Sequence, residues 1–157
     1  MTGPSFRLLA AVAVASLVSC GHKHRPAPKP VAKPAAVVKP AAPARGRVAV
    51  IDMSTLFTLQ QGGKVLVFDV RPSFVNAFGH LPGAINWPRY SFDEAYARHE
   101  PEIKAALAAD KMVVLYCTDA ACPDSRAVAE RLADKGFTVS VLEGGYNAWK
   151  DAGMPVE

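Results

Sequence analysis

The first 46 residues contain no Asp and no Glu. Their seven basic residues, Arg7, Lys23, Arg25, Lys29, Lys33, Lys39 and Arg45, stand unopposed. The rest of the chain holds eleven basic residues against all fourteen acids, a net of −3, so the pI of about 9.1 belongs to the N-terminal third. A mildly acidic remainder repels phosphate chains, which argues against a basic nucleic-acid-binding domain; no nucleic-acid partner is expected. Long apolar runs are also missing. The run at residues 8–18, LLAAVAVASLV, has eleven residues, too few to cross a bilayer core. Cysteine is scarce. Cys20, Cys117 and Cys122 are the three present, so any thiol chemistry falls to them.

Arg7 followed by that short apolar run suits a secretory leader over residues 1–19. The run ends in Leu17-Val18-Ser19-Cys20, which resembles the lipobox of bacterial lipoproteins. The resemblance implies cleavage before Cys20 and lipidation of Cys20. The expected location is the cell envelope, with the protein held to a membrane by its lipid and facing the periplasm or the exterior. Several acyl chains anchor a protein that a single chain holds weakly. The plainer alternative is an ordinary leader with an incidental Cys at its end.

Residues 20–46 follow as a linker. Six of the thirteen prolines fall between positions 26 and 43, mixed with Ala and Lys. Such a segment lacks backbone donors and has little to bury, so an extended spacer is expected. Its lysines solubilise it, or touch anionic lipid or wall polymer. His22 and His24 lack further ligands, so no metal site is expected there.

Residues 47–157 alternate apolar runs with helical patterns, the mark of an α/β domain with a mainly parallel sheet. Strands are expected at 48–51, 65–68, 84–86, 112–116 and 139–142. Asp52 reads as the N-cap of a helix that Gly62-Gly63 ends. Further helices are expected at 94–109, interrupted at Pro101, at 123–135 with Pro123 as first helical residue, and at 146–151. In such sheets ligands sit beyond the carboxyl ends of the strands. Cys117 stands directly at the end of the 112–116 strand and shortly before a helix. There, unpaired backbone N–H groups and a positive dipole end favour thiolate and could hold a persulfide anion. Two readings of Cys117 stand on these grounds alone: a nucleophile, or a buried structural thiol.

Four blocks carry a resemblance. Asp69-Val70-Arg71, then Gly79-His80-Leu81-Pro82-Gly83-Ala84, resembles the D-x-R and G-H-[IL]-P-G-A signature of rhodanese domains. Tyr116-Cys117 is similar to their strand-to-active-loop junction. The segments LEGGYNAW (142–149) and AGMPV (152–156) resemble their C-terminal motif. The resemblance implies a single rhodanese-like domain with a central parallel sheet and helices on both faces. It implies a sulfurtransferase that carries sulfane sulfur as a Cys117 persulfide from a small sulfur donor to a thiol or cyanide. No cofactor is implied. The resemblance makes Thr118, Asp119, Ala120, Ala121 and Cys122 the expected active loop. It also gives Asp69, Arg71 and His80 a structural role in support of the loop, and persulfide transfer asks for no dedicated base from His80.

The loop departs from the family pattern. Where relatives commonly close it with a basic or hydroxyl residue, Cys122 stands, and the first basic residue in sequence is Arg126. Asp119 and Asp124 place negative charge against a dianionic donor such as thiosulfate. A loop without Arg, preceded by Tyr116 and not His, argues against phosphoryl transfer. Cys122 is either a packed residue without chemistry or a resolving thiol that closes a disulfide with Cys117 and releases sulfide. Three functions therefore stand beside one another: a sulfurtransferase, a noncatalytic carrier or binding module, and a thiol–disulfide redox protein.

Overall fold

The computed structural model describes residues 44–157. The leader at 1–19, Cys20 and the linker to residue 43 lie outside the described residues. Among the described residues, two that precede position 47 already contact the domain. The Gly46 amide donates to the Ala133 carbonyl at 2.8 Å, and Arg45 pairs with Asp134 at 2.7 Å.

Five strands form the sheet: β1 (Val48–Ile51), β2 (Val65–Asp69), β3 (Ile85–Asn86), β4 (Met112–Tyr116) and β5 (Val139–Leu142). Their order is β1-β5-β4-β2-β3, and every pairing is parallel. β4 is central. Its Val113, Val114, Leu115 and Tyr116 are all fully buried because helices cover both faces. Alternation along the strand splits the core. Val113, Leu115 and Cys117 pack with Phe92 and Ile103 of α3 (Phe92–Ala108) and Val128, Ala129 and Leu132 of α4 (Asp124–Asp134). Val114 and Tyr116 pack with Leu56 of α1 (Met53–Gln61) and Tyr146 and Trp149 of α5 (Gly145–Asp151).

Asp52 caps α1, its side chain accepting from the Thr55 amide at 2.9 Å. Hydrogen bonds from Ser54 and Thr55 hold its carboxylate well below the ordinary value. α3 runs unbroken through Pro101, against the expected interruption. The proline removes one N–H, but the carbonyl left without it belongs to Ala97, which is exposed to water. Phe92 and Ile103, on either side of the proline, are both in the core and hold the helix in one piece. Pro123 is the N-cap of α4, one place outside the first helical position, and its carbonyl accepts from the Ala127 amide. Two short elements without a sequence signal complete the chain, α2 (Ser73–Asn76) and a 3-10 turn at Arg89–Ser91. Among the described residues no helix is long and apolar enough to cross a membrane.

Candidate functional site

Cys117 follows the last residue of β4 and is 3% exposed. Its side chain continues the alternation of the strand and so enters the face lined by α3 and α4. The chain then turns outward through Thr118, Asp119, Ala120 and Ala121 and returns at Cys122, ahead of α4. Asp119 folds this turn. Its Oδ1 accepts from the Ala121 amide at 2.9 Å and the Cys122 amide at 3.0 Å. The Asp119 carbonyl also accepts from the Cys122 amide, at 3.3 Å. Two loop amides ahead of α4, those of Ala121 and Cys122, are therefore occupied by a carboxylate of the loop itself. That short-range turn chemistry wins because an Asx side chain reaches the amides two and three residues on.

The turn brings Cys122 back onto Cys117, and their sulfurs are joined in a disulfide with Cα atoms 6.2 Å apart. This separation lies within the ordinary range for a bridge. One Asp124 carboxylate oxygen and the two sulfurs all lie within 4.8 Å of one another. Bonded to each other, the sulfurs are not free as metal ligands.

The opposite wall comes from α5. The Tyr146 amide donates to the Cys117 carbonyl and the Asn147 amide to the Thr118 carbonyl, both at 2.9 Å. This approach needs glycine at 145. A Cβ there would meet the Cys117 carbonyl oxygen at 2.6 Å and the Asp119 nitrogen at 2.9 Å, and the residue has φ +62°.

Beneath the loop lies a buried ion pair. Asp69 and Arg71 are 0% and 1% exposed. The Asp69 carboxylate accepts from Arg71 Nε at 2.9 Å, Arg71 Nη2 at 2.5 Å, the Arg71 amide at 2.9 Å, Asn76 Nδ2 at 2.9 Å and the Tyr116 hydroxyl at 2.8 Å. Burial works against the Arg71 charge. The Asp69 hydrogen bond and charge outweigh it, and the Arg71 pKa stands above its ordinary value. Burial, reinforced by the Asp69 charge, pushes the Tyr116 phenol far above its ordinary value. The Arg71 guanidinium lies 4.1 Å from the centre of the Tyr146 ring. Asp69 and Arg71 thus grip the chain on both sides of Cys117, through Tyr116 before it and Tyr146 beside it.

His80 belongs to a different contact. Its backbone exchanges two hydrogen bonds with Glu157, at 2.8 and 2.9 Å, and its ring Nε2 is 3.8 Å from the Glu157 carboxylate. Its Nδ1 is buried with no hydrogen-bond partner among the described residues. None of these bonds reaches the loop. Arg89 carries no local sequence signal, yet it bears directly on the site. From the 3-10 turn its Nη1 donates to Asp124 Oδ1 at 2.8 Å. The charge of Asp124 is therefore matched, which corrects the expectation that both loop acids oppose an anionic donor. Asp119, bonded to backbone amides, remains as the opposing charge. Arg89 lies 35 residues from Asp124, and only the return of the chain after β3 brings them together.

Residues 53–152 match the rhodanese-like domain family. The chain is 34% identical over 110 residues to an HTH-type transcriptional regulator of Mycobacterium tuberculosis, a match covering 68% of this chain and 44% of the regulator. It thus spans under half the length of that relative. Among solved structures it is similar to a rhodanese-related protein of Thermoplasma volcanium, with 27% identity, a TM-score of 0.57, and coverage of 69% of this chain and 97% of the other. It is also similar to a thiosulfate sulfurtransferase of Pseudomonas aeruginosa, with 32% identity, a TM-score of 0.55, and coverage of 72% of this chain and 20% of that one.

Proposed function

The chain belongs to the rhodanese-like domain family, and from that premise we propose that it is a sulfurtransferase whose Cys117 carries sulfane sulfur as a persulfide. The observation that carries the reading is the place of Cys117, at the carboxyl end of the central strand, with its carbonyl clamped by α5 and its sulfur turned toward the start of α4. In the reduced protein the Cys117 thiolate attacks the outer sulfur of a donor. The bond between that sulfur and the rest of the donor breaks, and the donor leaves with the electron pair. A cyanide or thiol acceptor then takes the outer sulfur and returns the thiolate. The charge of Asp119 slows a dianionic donor without barring it, so the physiological donor we propose is a sulfane-sulfur compound less charged than thiosulfate, while inorganic polysulfide serves to load the carrier in vitro. We further propose that the mature protein works at the cell envelope, held to a membrane by lipid on Cys20; Cys20→Ser should abolish lipid incorporation.

The test uses the full chain carrying Cys122→Ser, reduced and then exposed to inorganic polysulfide. Trypsin places positions 117 and 122 on one peptide, residues 112–126, apart from Cys20. That peptide should gain one sulfur, and Cys117→Ser should remove the gain. A Cys122→Ser chain that takes up no sulfur would leave the family's noncatalytic, binding role as the better reading.

A further inference from the structure

We propose that Cys122 discharges the Cys117 persulfide, so that the protein releases hydrosulfide and draws its electrons from an external thiol. The inference rests on Cys117 being the sulfur carrier and adds a second reaction to it. In the loaded, reduced state the Cys122 sulfur attacks Cys117 Sγ. The bond from Cys117 Sγ to the outer sulfur breaks, and the outer sulfur leaves as hydrosulfide with the proton that Cys122 gives up. The two cysteines are oxidised to the disulfide while the sulfane sulfur is reduced. Two equivalents of a monothiol, or one dithiol, then reduce the bridge and restore the starting state.

Three features of the loop support this step. The sulfurs meet across an ordered turn whose two ends are tied separately, the first by Tyr146 and Asn147 and the second by the Asp119 carboxylate. A thiol tethered in this way acts at an effective concentration that a free thiol in solution does not match. The Asp124 carboxylate, fixed by Arg89, sits within 4.8 Å of both sulfurs, where it can receive the Cys122 proton and pass it to the leaving sulfur. Exposure then selects the sulfur that the reductant meets. Cys117 is buried, whereas Cys122 is half-buried at the rim, so an incoming thiolate attacks Cys122 and Cys117 leaves. Asp119 is a positioning residue here: it holds Cys122 over Cys117 and touches no reacting atom.

The experiment loads the reduced full chain with one equivalent of polysulfide sulfur, without cyanide or thiol, and follows free sulfide and the 112–126 peptide over time. Wild type should release sulfide in step with the loss of two hydrogens from that peptide. Cys122→Ser should keep its extra sulfur at least about tenfold longer. Asp119→Ala should slow the release, while Asp119→Asn, which keeps the accepting oxygen, should restore it. A persulfide that lasts as long on wild type as on Cys122→Ser overturns the inference and leaves the carrier reading intact. A chain that takes up no sulfur in either form overturns the carrier reading, and this inference falls with it.

Discussion

Replacing Arg71 by methionine probes the ground on which the loop stands. The substitution keeps much of the side-chain volume and deletes the charge. It leaves a fully buried Asp69 carboxylate that has lost Nε and Nη2 and keeps the Arg71 backbone amide, Asn76 and Tyr116. Breaking a buried pair by removing one partner costs about 3–5 kcal/mol. The total stability of a small domain is about 5–15 kcal/mol, so the loss is a large part of it. With a urea slope of about 1–3 kcal/mol per M, the unfolding midpoint should fall by at least about 1 M. Arg71→Lys should not rescue it, because one ammonium cannot replace the paired Nε and Nη2 bonds. The double variant Asp69→Asn/Arg71→Met should lose less than the sum of the two single changes, since no unpaired charge is left behind. Sulfur uptake should fall with Arg71→Met even where the domain remains folded, because Tyr116 and Tyr146 border Cys117 and both contact the pair. Urea titrations monitored by tryptophan fluorescence give the midpoints. A loss below about 1 kcal/mol, the worth of an exposed pair, would refute the role assigned to this network.

Asp119→Asn should raise turnover with thiosulfate, because it removes a loop charge that no cation among the described residues matches while keeping the oxygen that orders the turn; unchanged or lower turnover in a thiocyanate assay would count against that account. Gly145→Ala should cost about 1–2 kcal/mol for its left-handed backbone and about 1–3 kcal/mol more for crowding the loop, read as a drop in melting temperature together with slower sulfur uptake. A wild-type melting temperature for that variant would mean that the approach of α5 is looser than described. The phenols of Tyr116 and Tyr96, the latter pushed up to about 12 by burial and by its bond to Glu100, stay protonated in the fold where an unfolded chain ionises. Their contribution to stability is thus full below pH 10 and is lost as pH rises above it. Melting temperatures between pH 8 and pH 11 should therefore decline above pH 10, with Tyr116→Phe removing part of the slope; a flat profile would contradict this.

The strands were legible because a sheet covered on both faces leaves continuous apolar runs, as at Val113, Val114 and Leu115. Asp52 and Gly62 marked the ends of α1 through local capping chemistry that a sequence displays directly. The place of Cys117 followed from the end of its strand. What stayed hidden was non-local. The Tyr116 hydroxyl reaches the Leu81 amide, 35 positions away, and Arg89 reaches Asp124 over the same separation. Charges counted along the sequence near Cys117 therefore overstated the negative field. α2 has no buried residue, and nothing in its four positions signalled a helix. Pro101 signals a break in any local reading, and the core contacts of Phe92 and Ile103 override it.

Cyanide-dependent thiocyanate formation by the reduced full chain, compared with its Cys117→Ser and Cys122→Ser variants, tests the central claim most directly. The wild-type chain should turn over with a sulfane-sulfur donor, Cys122→Ser should remain active, and Cys117→Ser should be inactive. Wild-type turnover in Cys117→Ser, or inactivity confined to Cys122→Ser, would contradict the assignment of Cys117 as the sulfur carrier.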